Sequence, residues 1–185
     1  HTQLDYALRL VAWSGVAREA GVQNDLLNVF INAGASTQGV SNDALVNGNF
    51  GAAEYLVSRG AKLTLPTALC LGKWSEADAL ASMANEDQKK FSLVLAALNG
   101  KAEAVRRTIT YGVDINKPSK DLYSHATPLH HAVWSGSLDT VKVLVEAGAR
   151  LDIKDSIHEG TPLGWAEYAE REDIVNYLKK RTKTT

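Results

Sequence analysis

Four of the five histidines, His125, His130, His131 and His158, fall within a short C-terminal stretch of a 185-residue chain. Imidazoles in such density could ligate a metal or move a proton near neutral pH. Zinc needs its ligands within about 2 Å, and no multi-cysteine set accompanies these rings, because Cys70 is the only cysteine. Nucleophilic chemistry has as little to build on. No Gly-x-Ser-x-Gly elbow, His-Glu-x-x-His helix or glycine-rich phosphate loop occurs. Cys70 stands in an apolar helical stretch and reads as a small buried hydrophobe. The acidic pairs Glu86-Asp87 and Glu172-Asp173 sit at a connector and at a helix start, and Lys179-Lys180-Arg181 at a helix end, where the helix dipole favours each sign of charge. No catalytic residue, metal site or cofactor is expected.

The elements that carry these residues recur. TPLHHAVWSGSLDTVKVLVEAGAR over residues 127–150 is followed by TPLGWAEYAEREDIVNYLKKR from Thr161, and the two Thr-Pro-Leu openings are 34 residues apart. A period of this size marks a solenoid, whose units bury their apolar faces by stacking on one another. Thr127 is placed to cap a helix, and Pro128 sits where its missing N–H costs nothing. Leu129, Ala132 and Val133 supply the buried side of a short first helix closed by Gly136. Leu138, Val141, Leu144 and Val145 form the stripe of a second, ended by Gly148. The polar stretch through Asp152, Lys154, Asp155, His158 and Gly160 reads as an extended turn.

TPLHHA, a second helix ending Glu-Ala-Gly-Ala, and LDIKD together resemble the ankyrin repeat. The likeness is strong over residues 127–181 and fades toward the N-terminus. FSLVLAALNG over 91–100 aligns with 127–136, and its second helix ends near Tyr111-Gly112. Residues 40–61 carry Ala44-Leu45-Val46-Asn47-Gly48, and residues 6–35 carry Trp13-Ser14-Gly15 with extra residues between the helices. TALCLGKWSE opens a unit at Thr67 that reaches the next opening after 24 residues, with no glycine ending, so Asn85-Glu86-Asp87-Gln88 is expected to join two helices directly. The reading is an all-α ankyrin-repeat solenoid in one domain. It has about six units, roughly 4–36, 37–64, 65–90, 91–118, 125–152 and 159–185, the third of them truncated. The resemblance implies a structural role for His130, bonded to backbone and to the capping Thr, and puts His131 and Trp165 at packed leucine positions. Stacked repeats would hold His125 and His158 roughly 8–10 Å apart, too far to share one zinc.

One pattern is not demanded by folding. Two residues before the closing glycine of each first helix the six units carry Trp13, Val46, Trp74, Leu98, Trp134 and Tyr168, with Glu170 replacing the last glycine. The resemblance implies that this position faces the concave groove. Three of the four tryptophans are expected there, with Tyr168 extending the row, as anchors for a protein or an extended peptide. The turn tips Tyr123, Ser124, His125, His158 and Glu159 extend that surface. Packing of the same rings on neighbouring turns is the competing reading.

Composition bounds the partners. With 20 basic and 21 acidic residues the formal net charge is −1, which gives no broad attraction to nucleic acid or an anionic membrane. No apolar run reaches membrane-spanning length, and no charged-then-apolar leader precedes the first unit. The chain opens on His1 rather than Met, as a part of a longer protein would. A lone cysteine is compatible with a reducing cytosol, so a cytoplasmic, monomeric binding module is the expectation. The alternatives are a small-molecule-binding or enzymatic protein built on the repeats, and a cis-regulatory segment of a longer chain.

Overall fold

A computed structural model describes residues 2–182. Among them lie thirteen helices and one isolated antiparallel bridge, Ser119 to Leu122, so the chain is all-α. Packing divides it into two compact units, His1–Leu80 and Ala81–Thr185.

In the N-terminal unit, α1 (Gln3–Trp13) and α3 (Gln23–Asn32) pack together, and a five-residue helix α2 (Gly15–Glu19) occupies the extra residues between them. Thr2 starts α1 through a capping box with Asp5. Ser14 both ends α1 and caps α2, accepting the Ala17 N–H at 3.0 Å. Gly15 therefore begins a helix instead of closing one, which corrects the expected Trp13-Ser14-Gly15 ending. Next come α4 (Val40–Val46), packed on α1, and α5 (Phe50–Ser58), packed on α3 and α4. Asn49 ties the pairs together: its side-chain amide donates to the Ala12 carbonyl at 2.8 Å.

The truncated unit opens earlier than its sequence suggests. Helix α6 (Leu65–Cys70) is capped by Thr64, not Thr67, and Gly72 closes it at φ +70°. Two threonines three residues apart both precede apolar residues, but only Thr64 is followed by a proline in the first turn. Thr67 is instead fully buried and donates to Asn42 at 2.8 Å. Consequently Trp74 begins the second helix, α7 (Trp74–Met83), and is not near the end of a first one. The boundary between the two compact units falls inside α7.

In the C-terminal unit, α8 (Glu86–Leu98) follows α7 with only Ala84 and Asn85 between, the direct joint expected. Asn85 and Gln88 form a capping box, so α8 starts five residues ahead of the unit boundary read at Phe91. Three pairs then stack in order: α8 with α9 (Ala102–Thr110), α10 (Pro128–Ser135) with α11 (Leu138–Glu146), and α12 (Pro162–Tyr168) with α13 (Glu172–Thr182). First helices pack on first helices, α8 to α10 to α12, and second helices likewise. The core is Leu93, Leu95, Val105, Leu129, Val133, Val141, Leu144, Ile174 and Leu178, all essentially inaccessible.

Thr127 and Leu144 set two different energies in this stack. The Thr127 hydroxyl lies 2.8 Å from His130 Nδ1 at the start of α10, while Leu144 is fully buried. Thr127→Ala is expected to cost about 1 kcal/mol and Leu144→Ala roughly 2–5 kcal/mol. Urea denaturation checks the ordering, and a larger loss from the cap would refute Leu144 as a core residue.

Candidate binding surface

The best-defined surface lies on α10 and α12. Trp134, at the end of α10, is 51% exposed, and Tyr168, at the end of α12, is 83% exposed. Each stands two residues before the position that takes a left-handed backbone, Gly136 at φ +73° and Glu170 at φ +55°. Glu170 thus adopts the conformation a glycine serves elsewhere, at a strain cost that a polar, solvent-exposed turn tolerates. With Ala169, Glu170 and Arg171 the two rings line one open depression. Arg171 lies close under the turn: a Cβ on Gly136 would sit 3.2 Å from its guanidinium carbon.

Below Trp134 the support is rigid. Trp165 meets it edge-on at 6.1 Å between centroids and meets His130 edge-on at 5.1 Å. The Trp165 indole N–H donates to Asp155 Oδ2 at 2.9 Å. Asp155 is itself buried and accepts the N–H groups of Ile157, His158 and Gly160 at 2.7–3.0 Å. Burial works to raise the Asp155 carboxyl, but the hydrogen bonds from His158, Trp165, Ile157 and Gly160 outweigh it and hold it well below the usual carboxylate range. His130 completes the scaffold. Its Nε2–H donates to the Gly160 carbonyl at 3.0 Å, leaving Nδ1 to accept from the Thr127 hydroxyl and N–H. Burial lowers its pKa, in keeping with a neutral ring. This is the bonding implied by its place in the repeat.

His131 is buried against Tyr123 at 5.7 Å, His125 at 6.3 Å and Trp165 at 6.3 Å. Its Nε2 has no hydrogen-bond partner among the described residues. Burial, followed by the neighbouring His125 and His130, pushes its pKa down to about 4. It packs as the leucine it replaces would, at the cost of one unsatisfied polar atom.

The remaining tip residues divide. Tyr123, in a left-handed conformation at φ +45°, and Ser124 are exposed, whereas His125 is half-buried, its ring 6.0 Å from Trp165 and its carbonyl accepting the Ser156 N–H. His158 and Glu159 are exposed on the next turn, Glu159 at φ +53°. In the N-terminal unit Trp13 is 50% exposed at the end of α1, and Trp74 is half-buried at the head of α7, packed beside Gly72. The coincident register proposed for Trp74 therefore fails, while Leu98, Trp134 and Tyr168 keep theirs on the successive helices α8, α10 and α12. Sequence reasoning missed Arg171 and the Asp155–Trp165 bond; only the Asp-led turn hinted at the latter.

Among the described residues no group of three His, Cys, Asp or Glu side chains is arranged to hold a metal ion, and no helix is long and apolar enough to cross a membrane. The chain can be set beside known proteins on these features. The family model for ankyrin repeats in three copies matches residues 69–155 and again 93–184. An ankyrin repeat-containing protein of Schizosaccharomyces pombe is 36% identical over 89 residues, covering 48% of this chain and 41% of the relative. Cyclin-dependent kinase 4 inhibitor B of Homo sapiens is 34% identical over 83 residues, 45% of this chain and 58% of that protein. Cyclin-dependent kinase inhibitor 2A of Monodelphis domestica is 33% identical over 89 residues, 48% and 50%. The chain thus spans about half the length of the curated relatives it matches. With the capped first helices, the stacked pairs and His130 bonded across the turn, the family match leaves one conclusion: the chain belongs to the ankyrin repeat family.

Proposed function

We infer that this chain is a non-catalytic module that binds a protein or an extended peptide, with Trp134 and Tyr168 as its central anchors. One observation carries the reading: two large aromatic rings stand exposed at equivalent positions of adjacent repeats and line the same depression. Core packing does not demand them there, and large rigid rings on a preformed surface are the usual source of hot-spot energy. Trp165, bonded to Asp155, packs edge-on against Trp134, so one anchor is already supported before a ligand arrives. The names of two relatives, inhibitors of cyclin-dependent kinases, support a protein as the class of ligand. Tyr123, Ser124, His125, His158 and Glu159 extend the surface along the turn tips.

Trp134→Ala is expected to weaken binding by about 2 kcal/mol or more. It should lower stability far less than Leu144→Ala, because half the ring is already in water. Affinity capture with the intact chain, Trp134→Ala and Tyr168→Ala, combined with urea denaturation of each, separates the two effects. A Trp134→Ala chain that unfolds readily would make the ring a packing device.

A further inference from the structure

From Glu167 to Asp173 the chain reads Glu-Tyr-Ala-Glu-Arg-Glu-Asp, four carboxylates against one guanidinium, and this stretch carries Tyr168. Three of the carboxylates have a local role. Glu167 pairs with Lys179 at 2.8 Å. Glu172 and Asp173 stand in the first turn of α13, where the positive end of the helix dipole favours them. Glu170 is left over: it is exposed, and its carboxylate makes no hydrogen bond or ion pair among the described residues.

The one cation of the stretch is engaged elsewhere. Atoms of the Arg171 guanidinium lie 3.2–3.5 Å from where a Cβ on Gly136 would be, so the group sits against the turn that ends α10. There it meets the negative end of that helix's dipole. Among the described residues it forms no ion pair with Glu170 and no stacking contact with Trp134 or Tyr168. The two rings do not pack on one another either: Trp134 meets Trp165, and Tyr168 meets no ring. Both therefore keep surface free for a ligand, with an unpaired carboxylate beside them.

We propose that this depression takes a basic side chain, lysine or arginine, from the bound protein segment. The proposal rests on the reading of Trp134 and Tyr168 as anchors and gives their site a preferred ligand charge. An aromatic face attracts a cation through its quadrupole, most strongly for indole, and the attraction grows as water is excluded. The alkyl stem of such a side chain covers apolar ring surface while its charged head stays at the wet rim, where Glu170 stands. An acidic side chain would instead meet the Glu170 carboxylate and the negative faces of two rings.

Titration of the intact chain with blocked single amino acids at low salt tests this, read from the Trp134 indole N–H resonance, which Trp134→Phe identifies. The N-acetyl methylamides of lysine and arginine should bind at least about fivefold tighter than that of norleucine, which has the stem without the charge. The glutamate derivative should bind weakest. Glu170→Gln should narrow the ratio of lysine to norleucine affinity about two- to fivefold. Tyr168→Leu, which keeps apolar area but removes the ring, should narrow it as well. Helicity should hold in both variants, because both side chains are exposed. Equal binding of lysine and norleucine, or a ratio untouched by Glu170→Gln, would overturn the proposal and leave the anchor reading standing. Tighter binding of glutamate would overturn it too and assign the depression to Arg171. A Trp134 resonance that no probe moves would likewise overturn it. Failure of the anchor reading itself would show separately, as undiminished protein capture by Trp134→Ala.

Discussion

Removal of residues 161–185 is expected to make the remaining chain aggregate or lose cooperative unfolding. The deletion takes away α12 and α13, and with them Ile174 and Leu178, both fully buried, and the Trp165 ring that packs on His130. It uncovers the faces of α10 and α11 that those helices cover, including side chains beside Leu144. Each large apolar side chain returned to water costs roughly 1.5–3 kcal/mol, so a few suffice to cancel the stability of an ordinary domain. The loss is greater than for an internal change because the charged outer face of α13 disappears as well. Solubility and far-ultraviolet circular dichroism decide it. A shortened chain that stayed soluble with proportionate helicity would show that α12 and α13 are not the cap.

Acid should destabilise the C-terminal unit in two successive steps. His131 is held neutral by burial, with its pKa near 4 against an unfolded value of about 6.5. Above pH 6.5 neither state binds the proton and the group has no effect. As pH falls from there toward 4, the unfolded chain takes up a proton that the folded one refuses, so stability drops. By pH 4.5 the loss is on the order of 2–3 kcal/mol. Asp155 acts next and with the same sign. Its depressed carboxyl contributes stability above the ordinary carboxylate range, lost progressively below it. His131→Leu should remove the larger part of the first step and leave the second, because His130, whose pKa burial also lowers, loses stability in the same direction over the same range. The variant should match or exceed the parent at pH 7, since it deletes a buried nitrogen without a partner, and should surpass it clearly at pH 4.5. Equal pH dependence in the two proteins would exclude His131 as the source.

The fold was legible wherever one unit's own residues specified it. Thr-Pro-Leu at 127 and 161 marks helix starts by capping and by proline placement, and Glu170 stands where the spacing asks for a left-handed residue, which it adopts. Legibility failed where two local signals competed. Thr64 and Thr67 both offer a cap; Pro66 in the first turn goes with Thr64, while both hydroxyls are taken up by Asn42, more than twenty residues away. Misplacing that start by three residues moved Trp74 from the second helix into an apparent groove position. Asn85 looks like part of a connector in the sequence, but its side chain and that of Gln88 form the cap that starts α8 ahead of Phe91. At the surface itself, the exposure of Trp134 and Tyr168 followed from their spacing. Its foundation did not: no spacing rule ties Asp155 to the indole of Trp165, or places Tyr123, His125 and Trp165 around the buried ring of His131.

The binding claim is tested most directly by photo-crosslinking from the groove. A benzophenone side chain placed at position 168, and separately at 134, should capture one and the same partner, while the identical group at Glu146, an exposed position on α11, should not. Peptide mapping of the crosslink would then fix what lies between the two rings. Capture from position 146 with equal yield, or none from 134 and 168 in a chain that still binds the partner, would contradict the assignment of Trp134 and Tyr168 as the anchors.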